Sequence, residues 1–226
     1  MQRMYAQMEM DQIFRNTRCW YSNRAGYASP RLIDFARRNA GKRILDIGCA
    51  TGDYLKALTA EGFNGVDVEM NPDYVEEAKG KGLDVYRMDA KSLQCPDKSF
   101  DTALLFEVLE HIDDPQAVLR EAKRVAQKNV LITVPNCTGF HKLCDMGLTF
   151  EHMLEKDHIN FFTKADLEML LSREFADYDV REEEPMYPSV HKLPWRLRRT
   201  VTGLYRLMHL PPLAYFRLYA VASIRP

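Results

Sequence analysis

The stretch that decides the fold is Ile44-Leu45-Asp46-Ile47-Gly48-Cys49-Ala50-Thr51-Gly52-Asp53, which runs on into Tyr54-Leu55-Lys56-Ala57-Leu58. An apolar run is interrupted by an acid, a turn that contains two glycines follows, and a helix-like segment begins. This order predicts a strand, a glycine-rich turn and a helix. Glycine permits a tight turn and lets the backbone approach a ligand closely. The stretch therefore indicates a unit that binds a nucleotide-like cofactor.

Two further strand candidates each lie close to an acid. Residues 63–68 predict a second strand that contains Asp67, and residues 84–86 predict a third strand that precedes Asp89. Asp67 lies 19 residues after Gly48, close to the spacing of roughly 20 residues at which a carboxylate binds ribose hydroxyls in dinucleotide-binding folds. The spacing therefore favours Asp67 as a ribose-binding residue.

Helix-start signals separate the strand candidates. A proline follows a capping residue at Asn71-Pro72 and again at Asp114-Pro115, and the segment 163–166 has the pattern of a capping box. Further strands are predicted over residues 43–47, 129–134, 178–182 and 217–224. The alternation predicts an α/β fold, a doubly wound sheet whose ligand site lies beyond the carboxyl ends of the strands.

Together these motifs resemble the class I S-adenosylmethionine-dependent methyltransferases, and in particular the branch that includes the ubiquinone-biosynthesis O-methyltransferases. The resemblance covers roughly residues 40–184 and the final strand. It implies a seven-stranded sheet of order 3-2-1-4-5-7-6 in which strand seven is antiparallel. Strands six and seven would then be separated by a helical insertion at about residues 185–216.

The resemblance also implies S-adenosyl-L-methionine as cofactor and assigns residues to it. Asp46, Gly48 and Gly52 match the motif that shapes the loop at the methionine end, and Asp67 matches the ribose-binding acid. Asp89-Ala90 matches the pair beside the adenine, and Glu107 would lie beside the sulfonium. The family usually has glycine where this chain has Ala50. The full expected set is Asp46, Gly48, Cys49, Ala50, Gly52, Asp67, Val68, Asp89, Ala90 and Glu107.

A second constellation carries acid–base or metal chemistry. Glu107, Glu110 and His111 are spaced i, i+3, i+4, so one helical turn would place them on one face. With the distant His158 they resemble the metal-binding residues of small-RNA 2′-O-methyltransferases, and some quinone O-methyltransferases have a similar cluster. Two carboxylates and two imidazoles suit a divalent ion such as Zn, Mn or Co, with Mg also allowed. One alternative is that His158 is a catalytic general base without a metal. The other is that Glu107, Glu110 and His111 have structural roles, as a helix cap or as hydrogen-bond partners of the cofactor loop, and all three hypotheses remain open.

The amino-acid composition limits the classes of protein to which this chain can belong. The chain has 226 residues, 46% of them hydrophobic and 28% charged, as in an ordinary globular domain. No window is apolar enough for a membrane span, and the first residues lack the apolar core of a signal peptide. The five cysteines are scattered without a CxxC pair, which predicts neither a disulfide framework nor a zinc ribbon. We therefore expect a cytoplasmic protein with reduced thiols.

Charge is distributed unevenly along the chain. Residues 1–42 carry eight Lys/Arg against three Asp/Glu, and residues 185–226 carry seven against none. Within the insertion, Trp, Tyr and Leu are interleaved with Arg, which suits either a membrane interface or a packed helical lid with solvated arginines. The insertion therefore predicts a contact with an acceptor or, peripherally, with a membrane.

We therefore predict a methyltransferase domain over residues 43–226, preceded by a helical lead-in or cap over residues 1–42. The expected reaction moves a methyl group to an oxygen, or failing that a nitrogen, of a small or lipid-linked acceptor. One alternative is RNA 2′-O-methylation, which the basic ends favour, although the chain has no recognisable RNA-binding module. The other is a non-catalytic binding protein that retains the cofactor fold.

Overall fold

The computed structural model describes residues 28–138, 158–186, 195–212 and 214–224. Its centre is a seven-stranded sheet of order β3-β2-β1-β4-β5-β7-β6. β7 runs antiparallel to both of its neighbours, and the other neighbouring strands are parallel. The predicted fold class, strand order and strand direction are therefore confirmed.

The elements follow the chain in strict alternation for most of its length. The strands are β1 Arg43–Ile47, β2 Asn64–Glu69, β3 Val85–Arg87, β4 Phe100–Phe106, β5 Ala126–Pro135, β6 Asp177–Met186 and β7 Ala214–Ser223. The helices are α1 Pro30–Asn39, α2 Asp53–Thr59, α3 Pro72–Gly80, α4 Pro115–Val125, α5 Lys164–Ser172 and α6 Trp195–Leu207, with a short 3-10 helix at Leu109–His111.

Local side-chain chemistry sets where these helices begin. The Asn71 side chain accepts a hydrogen bond from the Asp73 N–H at the start of α3, and Asp114 caps α4 in the same way. Thr163 and Asp166 form a reciprocal capping box at α5. The predicted helix starts are therefore confirmed, and each fixes where the preceding loop ends.

The sheet is buried on both faces because its strands carry apolar residues at consecutive positions. Leu45 and Leu105 belong to one buried cluster, whereas Ile44 and Leu104 belong to the cluster on the opposite face. Side chains alternate between the faces of a strand. Helices α4 and α5 cover the first face, and α1 and α2 cover the second. Such two-sided burial leaves only the strand ends for a binding site.

The connection between β6 and β7 covers residues 187–213, within the predicted range of about 185–216. β6 continues to Met186 and β7 already begins at Ala214, because the two strands pair along ten residues each. Helix α6 lies between them. Most of the predicted N-terminal lead-in, residues 1–27, lies outside the described residues, whereas α1 confirms a helix at its end. Among the described helices, none has the length and hydropathy required to cross a membrane.

Candidate active site

The candidate binding and catalytic residues lie at one edge of the sheet. The carboxyl ends of parallel strands meet at the same edge, so the residues that follow β1, β2, β4 and β5 lie there together. β7 runs in the opposite direction, and its first residues therefore lie at this edge as well. The register confirms it, since Arg217 of β7 is opposite Pro135, the last residue of β5.

The loop after β1 turns through three residues of positive φ. Gly48, Ala50 and Gly52 have φ values of 74°, 47° and 76°, in a region where only glycine is unstrained. A Cβ at Gly48 would lie 2.8 Å from a methyl of Val108, and one at Gly52 would lie 2.5 Å from a methyl of Leu83. The glycines are therefore favoured by the backbone conformation, and the Val108 and Leu83 side chains would have to shift to admit a Cβ at either position.

Ala50 occupies the position where the family usually has glycine, and the structure explains how an alanine is accommodated. The residue is exposed, so its methyl group meets no packed core. Its N–H donates to Glu69 Oε2 at 3.0 Å, which holds the loop in the left-handed conformation. A left-handed conformation costs an L-residue roughly 1–2 kcal/mol, so this loop stores a modest strain.

Asp46 and Asp67 form a buried pair of carboxyl groups. They lie opposite each other in the register of β1 and β2, and are only 2% and 1% exposed. Asp46 Oδ2 and Asp67 Oδ1 have no hydrogen-bond partner among the described residues. Burial raises the pKa of both groups, and the neighbouring charges of Glu69 on Asp46 and of Asp46 on Asp67 raise the pKa further. At this depth the Asp67 side chain is shielded from the solvent at the edge.

Glu69 is the acid that the sequence prediction missed. It is the last residue of β2, is half-buried, and lies 21 residues after Gly48. Its Oε1 accepts from the N–H groups of Met70 and Asn71, both at 2.8 Å, and its Oε2 accepts from Ala50. A carboxylate offers about four acceptor sites, so three backbone bonds leave one for a ligand. The geometry favours Glu69 over Asp67 as the ribose-binding residue.

The remaining expected cofactor residues divide into two kinds. Asp89 and Ala90 are half-buried beyond β3, and Asp89 Oδ1 accepts from the Lys91 N–H at 2.9 Å, which fixes the turn. Cys49 and Val68 are 5% and 1% exposed, and their backbones are joined by the bond from Cys49 N–H to Val68 O. Burial raises the pKa of the Cys49 thiol, so it stays neutral. These two residues shape the loop through their backbone.

Three of the four predicted metal ligands come together. Glu110, His111 and His158 each offer one ligand atom, and these atoms all lie within 4.8 Å of one another. The rings of His111 and His158 meet edge to face with centroids 4.7 Å apart. Glu110 is only 1% exposed. A carboxylate and two imidazoles at this spacing form a donor set that suits Zn, Mn or Co.

Asn160 brings His158 to this group, a role that the sequence did not reveal. Its side-chain amide donates to the carbonyls of Leu109 and Ile112 at 3.0 and 2.6 Å. The N–H groups of Ile159 and Asn160 both donate to the Glu110 carbonyl, at 2.8 and 2.9 Å. Four hydrogen bonds thus tie the segment that follows His158 to the 3-10 helix.

Glu107 lies outside the Glu110, His111 and His158 group, which corrects the expectation that it shares their face. It leaves β4 with a φ of 57°, and the 3-10 helix begins two residues later, so the predicted helical spacing does not apply. Glu107 Oε2 instead pairs with Arg217 Nε at 3.0 Å, and its Oε1 is buried without a hydrogen-bond partner among the described residues.

Arg217 lies between two carboxylates. It is 4% exposed, and its Nη1 donates to Glu184 Oε1 at 2.6 Å, while the Tyr219 hydroxyl donates to the same oxygen at 2.9 Å. Burial acts to lower the pKa of Arg217, but Glu107 and Glu184 outweigh it and raise the pKa, which keeps the guanidinium charged. This charged network borders the site on the β7 side.

Comparison with known protein families assigns the chain to one of them. A family model described as a methyltransferase domain matches residues 20–182. The match covers more than half of the chain and includes β1 to β5 with their loops. The protein therefore belongs to the methyltransferase domain family.

Several relatives with assigned activities are similar to parts of this chain. A ubiquinone biosynthesis O-methyltransferase of Hahella chejuensis is 31% identical over 109 residues, which cover 44% of this chain and 46% of that protein. A phosphatidylethanolamine N-methyltransferase of Cereibacter sphaeroides is 30% identical, over 57% of this chain and 70% of that protein. A probable tRNA methyltransferase 9B of Bos taurus is 30% identical, over 51% and 25%. The chain thus matches only about half the length of the first relative.

Solved structures agree with the fold. A SAM-dependent methyltransferase from Archaeoglobus fulgidus superposes with a TM-score of 0.64, over 96% of this chain and 99% of that one, at 18% sequence identity. At this identity the superposition supports the fold alone.

Proposed function

We propose that this protein transfers the methyl group of S-adenosyl-L-methionine to an oxygen of a small or lipid-linked acceptor. The observation that carries the proposal is the left-handed loop Gly48–Gly52 beside Glu69. It lies at the carboxyl ends of the parallel strands, where open α/β sheets bind their ligands. The glycine positions that exclude a Cβ and the acceptor site left on Glu69 fit a nucleoside donor.

The chain's own residues have defined tasks toward the donor. The backbone of the loop would bind the methionine end, Glu69 would accept a hydrogen bond from the ribose, and Asp89 with Ala90 would border the adenine. The donor supplies a methyl group already activated by its positive sulfur. The protein must then hold the acceptor in line with that methyl, which is catalysis by proximity and orientation.

The Glu110, His111 and His158 group supplies the candidate chemistry for the acceptor. An acceptor hydroxyl must lose its proton to become a good nucleophile. A divalent ion bound by these three side chains would lower the pKa of that hydroxyl. Without an ion, His158 would take the proton itself, and its place in the segment fixed by Asn160 would hold the ring in position.

The names of two relatives support a lipid-linked acceptor. Ubiquinone biosynthesis and phosphatidylethanolamine both concern lipid molecules, although one relative is an O-methyltransferase and the other an N-methyltransferase. The imidazole and carboxylate group favours oxygen, because an amine that is already neutral needs no such activation. The tRNA methyltransferase supports the alternative of an RNA acceptor.

A labelling experiment tests the proposal and separates these alternatives. The protein is incubated with radiolabelled S-adenosylmethionine, and with a total lipid extract or total RNA in parallel. We expect label in the lipid fraction, in products whose labelled methyl group is bound to oxygen as in an ether. Nuclease-sensitive label in the RNA fraction alone would replace the lipid acceptor by RNA. No label with any acceptor, despite measurable S-adenosylhomocysteine binding, would support the non-catalytic alternative.

The metal hypothesis needs its own test. After exhaustive treatment with a chelator, activity should fall and return with one of Zn, Mn, Co or Mg. His158→Ala should abolish that recovery while calorimetric binding of S-adenosylhomocysteine persists. His209→Ala is the matched control, because His209 is exposed and lies outside the group. Full activity of the metal-free protein would leave His158 as a base.

A further inference from the structure

Exposed apolar side chains concentrate in two segments of the described chain. Of its eleven exposed large hydrophobic residues, seven fall in residues 158–162 and 195–212. Folded proteins rarely expose large contiguous apolar patches without a binding role. The two segments therefore need an explanation that the methyl-transfer site does not give.

Helix α6 presents one of these apolar faces. Leu197 and Leu204 are 53% and 52% exposed, and Met208 is 67% exposed. Residues seven apart lie on the same face of a helix, and Met208 continues that face because its N–H donates to the Leu204 carbonyl at 2.9 Å. Leu207 is 72% exposed at the border of the same face. The face is thus a continuous apolar stripe more than two turns long.

The second exposed segment lies directly beside the candidate active site. Ile159 and Phe161 are 55% and 44% exposed, whereas Asn160 is held by hydrogen bonds and Phe162 is 7% exposed. The chain alternates here, so His158, Asn160 and Phe162 lie inward while Ile159 and Phe161 face outward. His158 is thus followed closely by two apolar side chains, Ile159 and Phe161, that are exposed to solvent.

Topology places both segments at the same edge of the sheet. β6 ends at Met186 and β7 begins at Ala214, and these two residues pair with each other at the edge that also carries the glycine loop. Helix α6 joins them, so both of its connections start from this edge. The strand ends to which α6 is connected, the segment with Ile159 and Phe161, and the site for the donor therefore belong to one edge of the sheet.

The positive charge of α6 indicates which kind of partner binds its apolar face. The sequence of α6 contains Arg196, Arg198, Arg199 and Arg206 and no acid, and residues 185–226 as a whole contain seven cations and no acid. An interfacial helix combines an apolar face with basic residues, because the first enters the acyl boundary and the second pair with anionic headgroups.

We propose that α6, together with Ile159 and Phe161, docks the active-site edge onto an anionic lipid surface. Docking in this orientation would let a lipid-linked acceptor reach the donor without crossing water. The inference does not rest on methyl transfer, since membrane binding is measured without any donor or acceptor.

Vesicle sedimentation tests the docking surface. The protein is mixed with vesicles of equimolar phosphatidylcholine and phosphatidylglycerol, or of phosphatidylcholine alone. We expect binding to the first that weakens with added salt, and much weaker binding to the second. Leu204→Gln with Met208→Gln should lower the partition coefficient by about tenfold or more, because two apolar side chains no longer enter the lipid.

The matched control is Met169→Gln on helix α5. Met169 is 58% exposed, as much as the two test residues, but lies on an element outside the proposed surface. It should bind vesicles as the parent does. Melting temperatures and S-adenosylhomocysteine affinity should be unchanged in all variants. Absence of binding to the anionic vesicles at low salt, or equal binding by the double variant, overturns the proposal. So does a concentration-dependent dimer that the double variant dissociates, since a second copy would then cover the stripe.

Discussion

Exchange of Glu69 for glutamine isolates the role of the acid at the end of β2. In the parent protein, Oε1 and Oε2 accept three backbone hydrogen bonds and keep one acceptor position open. The amide of glutamine would remove the charge and turn one acceptor atom into a donor. A hydrogen bond to a charged group contributes about 1.5–3 kcal/mol, which corresponds to a loss of about 10- to 100-fold in donor affinity.

Isothermal titration calorimetry with S-adenosylhomocysteine measures this loss, because the product binds without turnover. Asp67→Asn is the control: its side chain has nearly the same shape and is 1% exposed in the parent protein. We expect its affinity to remain within about twofold, as for a substitution that removes no ligand contact. Equal affinity in Glu69→Gln together with a large loss in Asp67→Asn would refute the reasoning and return the ribose to Asp67.

The remaining predictions concern stability. Asp67→Asn should flatten the pH dependence of the free energy of unfolding between pH 5 and 8. Burial raises the pKa of Asp67 above its usual 3.8, so the native state binds the proton more tightly and the parent loses stability as pH rises through this range. Urea unfolding at several pH values checks this, and an unchanged slope of the unfolding free energy against pH in the variant contradicts it. Arg217→Met should destabilise the protein by about 1–3 kcal/mol, because it removes the cation that pairs with the half-buried Glu107 and leaves Glu184 with Arg31. Urea unfolding measures the loss, and a value below about 0.5 kcal/mol would contradict a stabilising role for the network. Gly52→Ala should cost at least about 1–2 kcal/mol for its left-handed φ, and denaturation of that variant at the parent's midpoint would argue against it.

The cofactor side of the site could be predicted from sequence because its signals are local. A strand, a glycine turn and a helix follow one another in β1 and α2, and Gly48 and Gly52 supply two of the three left-handed residues of the turn. The sequence prediction named Asp67 and did not consider Glu69, because it did not locate the end of β2. The cap at Asn71 and the proline after it require that the strand ends just before them. With that limit, Glu69 and not Asp67 is the terminal acid.

The metal-ligand prediction failed for Glu107 for a different reason. Helical spacing was applied to residues that do not form one helix, since Glu107 has a positive φ and the 3-10 helix includes only Leu109 to His111. His158 reached Glu110 and His111 as predicted, yet through backbone bonds from Ile159 and Asn160 that no spacing rule contains. Glu107 is close to Glu110 in the sequence but lies outside the group, whereas His158 belongs to it although it is nearly fifty positions away.

The β7 side of the site was beyond prediction because its residues are separated by long stretches of chain. Arg217 is 110 positions from Glu107 and 33 from Glu184, and the three meet only after β7 inserts between β5 and β6. In the sequence, Arg217 is one of seven cations in residues 185–226. In the fold it is 4% exposed between two carboxylates, which is tolerable only because both are present. The antiparallel strand therefore carries a charged guanidinium to the edge of the sheet that also bears the glycine loop, and there it pairs with Glu107.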